Sequence, residues 1–281
     1  MLFSIITPSY RQLDWLNLCA ASVADQGVEI EHRVQDAGSP GIEAWAQAHP
    51  RVKVTIEADN GMYDAINRGL RNSSGDLCAY LNCDEQYLPG TLQKVREYFS
   101  QNPSVDVLFG DAILADANLK PLAYRTAILP KRWHTLLRPL SVLTCSTFFR
   151  RKIIDDGILF DPSWKIIGDK AWVLQLLDRG YRLATLREPL AVFTFTGANL
   201  SHLPSVSAER SRWDRSYPAA IRLAKPWVMS WHVLKKWRQG AYRNHSVNAA
   251  WYTPGSLSER QNYPELTLGS KWPSVSTLPA P

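Results

Sequence analysis

Glu57-Ala-Asp-Asn-Gly-Met-Tyr-Asp-Ala-Ile-Asn-Arg-Gly-Leu70 and Ser74-Gly-Asp-Leu-Cys-Ala-Tyr-Leu-Asn-Cys-Asp-Glu85 are the two most informative segments of this chain. The first predicts a short helix. The second predicts a turn and an apolar strand that ends at Asn82, Asp84 and Glu85. Oxygen ligands at the end of a strand suit Mg²⁺ or Mn²⁺, which usually share their coordination shell with substrate phosphates. The alternative interpretation is an acidic turn in solvent.

Strand and helix signals alternate outward from these segments over the first two hundred residues, a pattern typical of a mainly parallel sheet covered by helices. The predicted strands up to the acids are 3–7, 31–35, 52–56 and 77–81, and the predicted helices between them are 13–24, 42–48 and 63–71. Because ligands of open α/β sheets bind outside the carboxyl ends of strands, we expect the loops after these strands to share one crevice. The sequence therefore predicts an α/β fold.

Farther along, the chain predicts strands over 105–110, 144–149 and 190–196, with 124–140 irregular. We expect one domain over 1–205 and an extension over 206–281 that is helical or irregular. Residues 1–200 carry 21 Lys/Arg against 22 Asp/Glu, whereas residues 201–281 carry 11 against 4, so the net charge of +6 arises in the extension. Pro and Ser are frequent from Thr253 onward, which predicts poor order toward the end.

Two more strand-to-loop transitions precede the acidic one, namely Phe3-Ser-Ile-Ile-Thr-Pro-Ser-Tyr-Arg11 and His32-Arg-Val-Gln-Asp-Ala-Gly-Ser39. With the segments above, they resemble inverting family 2 glycosyltransferases of the GT-A fold, in the bacterial branch that builds surface polysaccharides and glycolipids. The resemblance covers residues 2–200. It implies a GT-A domain, a nucleoside diphosphate sugar as donor, a hydroxyl of a glycan or lipid-linked acceptor, and a divalent cation, Mg²⁺ or Mn²⁺.

The resemblance implies that residues after the first three strands bind the donor nucleoside. Thr7, Pro8 and Tyr10 match the family's first nucleoside loop, Asp36 matches an aspartate that meets the base or ribose, and Asp59 matches a further polar contact. Each residue also has a simpler interpretation from pattern alone. The first three end a strand, Asp36 suits a turn, and Asp59 suits the cap of the following helix.

Four polar residues lie on the predicted helix over 63–71. Asp64 lies next to Asn67 and Arg68 on the helix surface, because spacings of three and four bring side chains together. An ion pair between Asp64 and Arg68 is the simpler interpretation. In the resembling family this helix lies against the donor, so the resemblance implies that all four residues bind the donor and that Arg68 or Arg71 reaches the diphosphate.

The resemblance places the metal site at Asn82-Cys83-Asp84, where the family often has Asp-x-Asp. Asp84 is then the main anionic ligand, Glu85 is a second metal residue that orients it, and Asn82 contacts the donor. Such a site would offset the charge that develops on the leaving diphosphate.

Asp169 matches the acid that serves as general base in the resembling family, although Gly168 stands where an acid or small residue is common. The alternative is that Asp169 caps the helix predicted over 170–178. The segment Thr196-Gly-Ala-Asn-Leu-Ser201 resembles the Gly-Gly-x-Ser loop that closes over the diphosphate, with Ala198 in place of the second glycine.

Residues 226–239 predict an amphipathic helix that carries Trp227, Trp231 and a basic end. Trp with Lys and Arg is typical of the surface of an anionic membrane, and the apolar span is far shorter than the roughly 20 residues that cross a bilayer. The alternative, which the sequence leaves open, is that the helix packs on the domain with its charges in water. Nucleic acid is a less favoured partner for the basic extension.

The start of the chain and its cysteines indicate the cellular compartment of the protein. Met1 to Ile6 lacks a basic leader, and the four cysteines show no C-x-x-C spacing of the kind typical of zinc or redox sites. We therefore expect a cytoplasmic protein, peripheral at the inner face of the membrane if the basic helix binds lipid. Two rival functions are a catalytically degenerate binding protein and a sugar nucleotidyltransferase, but the latter requires a glycine-rich, lysine-containing loop that the segment after the first strand lacks.

Overall fold

The structure is a computed structural model that describes residues 1–197 and 205–273. The strands are β1 (Phe3–Ser9), β2 (Ile30–Asp36), β3 (Lys53–Ile56), β4 (Leu77–Tyr80), β5 (Glu85–Tyr87), β6 (Val107–Asp116), β7 (Pro121–Arg125), β8 (Thr147–Arg150), β9 (Leu183–Phe195), β10 (His245–Thr253) and β11 (Ser256–Leu268). The helices are α1 (Leu13–Ala24), α2 (Ile42–Ala48), α3 (Met62–Arg71), α4 (Thr91–Gln101), α5 (Arg132–Leu137), α6 (Lys152–Asp155), α7 (Gly168–Asp178), α8 (Ser205–Arg215), α9 (Ala219–Arg222) and α10 (Lys225–Arg238).

A mixed sheet forms the centre of the described chain, with the strand order β3-β2-β1-β4-β8-β6-β9-β5 and β7 beside β6. Strands β1 to β4 are parallel, and β1 pairs with β2 on one side and with β4 on the other. The chain thus builds outward from β1 to β3 and then places β4 on the opposite side of β1. The loops after β1 and β4 diverge there, and such a switch point opens a crevice at the carboxyl ends of the strands.

Helices cover both faces of this sheet because neighbouring residues of a strand point to opposite sides. In β1, Ile5 packs in a core cluster with α1 and α4, whereas Ile6 packs in a second cluster with α3 and α7. Gly69 allows α3 to lie close to β1, since a Cβ atom at this position would stand 2.4 Å from Ile6 Cγ2. This close packing fixes the position of α3, whose first turn lies at the crevice.

The predicted α/β fold is confirmed, and the first four strands and three helices lie within two residues of their predicted bounds. Strand β6 is longer than predicted. It continues through Asp111 because that buried carboxylate accepts hydrogen bonds from Tyr124 Oη at 2.8 Å and from Ala127 N at 2.7 Å. The segment 124–140 was expected to be irregular, but it contains the end of β7 and the helix α5.

The extension contains the expected helices and also an antiparallel hairpin, β10–β11, that the sequence did not predict. The hairpin packs on the N-terminal domain. Trp251 is fully buried and donates from Nε1 to Leu119 O at 3.1 Å, while Arg260 pairs with Asp25 at 2.6 Å. Poor order was predicted toward the end of the stretch that begins at Thr253, but Ser256–Leu268 form β11, and residues 274–281 lie outside the described residues. Among the described helices, none combines the length and apolar character needed to cross a membrane.

Candidate active site

A cleft of about 660 Å³ lies at the switch point between β1 and β4. Three carboxylates from separate parts of the chain line it. Asp59 precedes α3, Asp84 follows β4, and Asp169 lies in the first turn of α7. The fold therefore brings together three acids that are up to 110 positions apart in the sequence.

The turn after β4 holds Asp84 at the cleft. Glu85 N donates to Asn82 O at 3.0 Å, and Asn82 N donates to Glu85 Oε2 at 2.9 Å, so the two residues close a tight turn around Asp84. Burial raises the pKa of both carboxyl groups, and the negative charge of Asp84 raises the pKa of Glu85 further. Glu85 is fully buried on β5 and does not line the cleft, whereas Asp84 and Asn82 do.

The oxygen atoms of this turn fit a hard divalent cation. Asn82 Oδ1 and Glu85 Oε1 are buried and have no hydrogen-bond partner in the described part of the chain. Within residues 1–197 and 205–273, no group of three or more His, Cys, Asp or Glu side chains is arranged as a metal cluster. Asp84 and Asn82, which line the cleft, carry oxygen ligands of the kind that Mg²⁺ and Mn²⁺ use when waters and substrate phosphates complete the shell.

Asp169 is held at the cleft by the start of α7 and by α3. It is the second residue of α7, and its Oδ1 accepts a hydrogen bond from Lys170 N at 2.7 Å. The N-cap position belongs to Ile167, so the alternative role of Asp169 as helix cap is wrong. Burial raises the pKa of Asp169 to about 6, although its bond from Lys170 N opposes the shift. Such a carboxylate is ionised at neutral pH and is a suitable proton acceptor.

Tyr63 links the two halves of the cleft, a role that the sequence analysis did not assign. Its hydroxyl donates to Ile166 O at 3.1 Å and accepts from Asp169 N at 3.1 Å. Gly168 allows this contact, because a Cβ atom there would stand 2.6 Å from Tyr63 Cε2. The sequence pointed to this role of Tyr63 only through its position two residues after Gly61 in the segment 57–70.

Glu209 on α8 supports the same loop. Its carboxylate accepts hydrogen bonds from the backbone N–H groups of Lys165, Ile166 and Ile167, just before α7. Lys165 Nζ in turn donates to Asn60 O, in the loop that precedes α3. The segment 198–201, which resembles the family's diphosphate loop, lies outside the described residues.

The predicted nucleoside residues divide into two groups. Pro8, Tyr10 and Asp59 line the cleft, and Asp59 Oδ1 also accepts from Gly61 N at 2.8 Å. Gly61 occupies the N-cap position of α3, so Asp59 is not the helix cap.

Thr7 and Asp36 are fully buried and lie outside the cleft lining. Thr7 Oγ1 lies 3.0 Å from His32 Nε2, and Asp36 accepts hydrogen bonds from Gly38 N, Ser39 N and Ser39 Oγ. The Asp36 carboxylate therefore stabilises its own turn, as the simpler interpretation predicted.

The four polar residues of α3 also lie outside the cleft lining. Arg68 pairs with Asp64 at 2.9 Å, as the simpler interpretation predicted, and it also pairs with Glu57 at 2.9 Å. Asn67 bonds through its amide to Phe160 N and O, and Arg71 is exposed in the last turn. The helix begins at the cleft and then runs away from it, rising about 1.5 Å per residue, which carries its second half away from the acids.

Solved glycosyltransferases share this fold. The Staphylococcus aureus TarS structure of residues 1–349 in complex with UDP-GlcNAc matches with a TM-score of 0.61 and 18% identity, over 85% of this chain and 73% of that one. The mannosyltransferase PcManGT from Pyrobaculum calidifontis in complex with GDP-Man and Mn²⁺ matches with a TM-score of 0.53 and 16% identity, over 85% of this chain and 75% of that one. At these identities the likeness establishes the GT-A fold.

Proteins similar to this chain in sequence are also described as glycosyltransferases. An uncharacterized glycosyltransferase of Nostoc sp. is 25% identical over 81% of this chain and 74% of its own length. A PGL/p-HBAD biosynthesis glycosyltransferase of Mycobacterium bovis is 29% identical over 42% of this chain, and the match spans half of that relative. The model of glycosyl transferase family 2 matches residues 4–159, more than half of the chain, and the protein therefore belongs to that family.

Proposed function

We propose that this glycosyltransferase moves a sugar, with inversion, from a nucleoside diphosphate sugar to a hydroxyl of a glycan or lipid-linked acceptor in cell-surface polysaccharide biosynthesis. The observation that carries the proposal is the convergence of Asp59, Asp84 and Asp169 on one cleft at the switch point of the sheet. The structural neighbours that hold UDP-GlcNAc and GDP-Man support a nucleotide sugar as donor.

Asp169 is the proposed general base. The acceptor oxygen attacks the anomeric carbon, the bond from that carbon to the diphosphate oxygen breaks, and the acceptor proton passes to the Asp169 carboxylate. The raised pKa of Asp169 makes it a stronger base than an exposed aspartate while leaving it ionised at neutral pH. Asp169 N donates to Tyr63 Oη, which holds the backbone at this position, and Lys170 N donates to Asp169 Oδ1, which restricts where the carboxylate can point.

Asp84 is the proposed principal ligand of a divalent cation, with Asn82 in the same turn and Glu85, the next residue, as the second proposed metal residue. A bound Mg²⁺ or Mn²⁺ would supply positive charge against the leaving diphosphate. The Mn²⁺ in the PcManGT structure supports this assignment. Pro8, Tyr10 and Asp59 are the proposed contacts of the nucleoside. Thr7 and Asp36 would support their loops from within.

The proposal also places the enzyme in the cytoplasm, peripheral at the inner face of the cell membrane. Helix α10 supports this location, because Trp227, Trp231 and Trp237 are 81%, 65% and 67% exposed. Lys235, Lys236 and Arg238 follow in its last turns. Exposed tryptophan next to basic residues is typical of proteins that bind an anionic membrane surface.

A donor panel tests the catalytic proposal. The wild type is incubated with UDP-, GDP- and dTDP-sugars and Mn²⁺, and release of the nucleoside diphosphate is measured. We expect turnover with at least one donor, and at least about a hundredfold loss in Asp84→Ala, since metal-assisted charge stabilisation is worth several kcal/mol. Glu97→Ala, which removes an exposed carboxylate on α4, is the matched control and should retain full activity.

A second variant separates catalysis from binding. Asp169→Asn should lose about 10²- to 10⁴-fold in turnover. It should still be stabilised by the donor in a thermal-shift assay, because ligand binding to the native state does not need the base. If wild type and Asp84→Ala are equally inert with every donor, the catalytic proposal fails; binding of lipid or nucleic acid by the same inert protein would then favour the degenerate binding protein.

A further inference from the structure

A second cavity lies between α5 and α10, away from the acidic cleft. It measures about 310 Å³, and its walls are mainly apolar, with Trp133 from α5 facing Trp227 and Trp231 from α10. Trp133 is 50% exposed, so all three indole rings that line the groove are accessible from solvent. We call this cavity the α5–α10 groove.

Two stacked histidines join the helices at the groove. His134 of α5 and His232 of α10 stack with ring centroids 3.6 Å apart and planes inclined by 16°. Burial is the main cause that lowers the pKa of both histidines, and neighbouring positive charges lower it further, so both rings are neutral at neutral pH. The stack therefore joins the two helices and leaves this part of the groove uncharged.

The positive charge of the groove comes from Lys131 and Lys235, which line it together with the tryptophans. Lys235 Nζ donates to Leu129 O at 2.8 Å, which holds the ammonium group at the wall. Burial and then the charges of Lys131 and Arg187 lower the pKa of Lys235, as expected where cations stand close together. A phosphate between the two lysines would offset this repulsion.

The two chain segments that build the groove carry no carboxylate of their own. Residues 117–154 contain eight Lys or Arg and no Asp or Glu, and residues 215–258 contain seven and none. Acids reach this region from other helices: Asp178 of α7 pairs with Arg132 at 2.6 Å, and Asp214 of α8 attracts Lys170, whose ammonium group bonds to α5. The groove therefore matches a ligand with an anionic head and an apolar body.

We propose that the α5–α10 groove binds one anionic lipid of a bilayer, with its phosphate at Lys131 and Lys235 and its chain among Trp133, Trp227 and Trp231. This inference deepens the proposed membrane contact and rests on it, but it does not depend on the proposed catalysis. Interfacial tryptophan and basic residues each favour an anionic membrane. A cavity between them adds a defined site to the flat contact that the helix surface alone would make.

The position of the groove connects it to the acidic cleft. Leu136 O of α5 accepts hydrogen bonds from Lys170 Nζ at 3.3 Å and from Trp213 Nε1 at 2.7 Å. Lys170 directly follows Asp169 in α7. A lipid in the groove would thus lie one helix away from the proposed base, which is a suitable arrangement for an acceptor delivered from the membrane.

Vesicle sedimentation tests the site. Wild type should bind vesicles of phosphatidylglycerol in phosphatidylcholine, and it should not bind pure phosphatidylcholine. The double variant Trp227→Ala/Trp231→Ala should bind about tenfold or more weakly, because it removes two large apolar side chains that the lipid would bury. Trp237→Ala is the matched control, because this exposed tryptophan of the same helix does not line the groove and its loss should have a much smaller effect.

A charge pair of variants completes the test. Lys131→Glu should weaken binding by about tenfold, whereas Lys120→Glu, which makes the same charge change at an exposed site outside the groove, should weaken it less than about threefold. If the groove variant and its control lose vesicle binding equally, in either the tryptophan pair or the lysine pair, the lipid site in the groove is refuted but the membrane contact is not. Absence of vesicle binding in the wild type, or binding to a short oligonucleotide alone, would overturn both. Because the assay involves no turnover, an inactive enzyme that still binds vesicles counts against the catalytic proposal only.

Discussion

Replacing Tyr63 by Phe tests whether a single hydroxyl holds the proposed base in place. Tyr63 Oη joins Ile166 O and Asp169 N, each at 3.1 Å, and thereby ties α3 to the start of α7. Tyr63 is 3% exposed, so water has little access to the groups that the change would leave unpaired. The ring would keep its stack on Phe160, whose centroid lies 5.5 Å away, so the substitution removes a polar atom without opening a large cavity.

We expect Tyr63→Phe to lower the free energy of unfolding by about 2 kcal/mol, because a buried polar group left without its partner costs about 1–3 kcal/mol. The loss should also release the Asp169 backbone. A displacement of a catalytic group by about 1 Å can reduce the rate by about a hundredfold, so we expect kcat to fall by about ten- to a hundredfold. Urea denaturation and initial rates of donor turnover measure the two effects.

Tyr87→Phe is the matched control. Tyr87 is fully buried, and its hydroxyl has no hydrogen-bond partner among the described residues. Removing a buried hydroxyl that makes no bond should leave stability unchanged or raise it. The reasoning is refuted if Tyr63→Phe equals the wild type in both stability and rate, or if Tyr87→Phe is destabilised as strongly as Tyr63→Phe.

Three further predictions concern the start of α7. Because burial raises the pKa of Asp169 to about 6, log(kcat/KM) at saturating Mn²⁺ should fall with a slope near one below that pH and reach a plateau above it; a flat profile from pH 5 to 8 would contradict the base assignment. The same raised pKa means that ionised Asp169 opposes folding, and this cost grows as the pH rises from the unfolded value to about 6. Asp169→Asn should therefore have a higher melting temperature than wild type at pH 7, and the difference should vanish toward pH 4. Gly168→Ala should lose about 1–3 kcal/mol of stability and most activity, because the new Cβ meets the Tyr63 ring; unchanged melting and turnover would show that the ring moves aside without effect.

The first half of the fold could be predicted because its signals are local. Apolar runs of strand length alternate with helical patterns, and β1 to β4 lie within two residues of their predicted bounds. Strand β4 pairs with β1, so Asp84 after β4 comes to the same crevice as the loop after β1. The sequence could therefore predict that Asp84, Pro8 and Tyr10 approach each other.

The parts that the sequence did not predict depend on distant partners. The hairpin β10–β11 has many polar residues, and its position depends on Trp251 and Arg260 contacts with Leu119 and Asp25. The carboxylate of Asp36 is satisfied within its own turn, which the pattern of the sequence alone had favoured.

The support of Asp169 was missed for the same reason. Tyr63 Oη and Asp169 N are 106 positions apart in the chain, and Glu209 reaches the same loop from α8. A sequence pattern of short period carries no information about such contacts. Only the close fit of Gly168 against the Tyr63 ring shows why a residue without a side chain precedes the proposed base.

Anomalous diffraction at the manganese edge, from crystals grown with Mn²⁺ and a nucleoside diphosphate, tests the central claim most directly. We expect one strong peak beside the Asp84 carboxylate, with the diphosphate in the cleft that Asp59 and Asp169 also line. The peak should be lost in Asp84→Ala. A nucleotide bound elsewhere, or a manganese peak that persists unchanged in Asp84→Ala, would contradict the account.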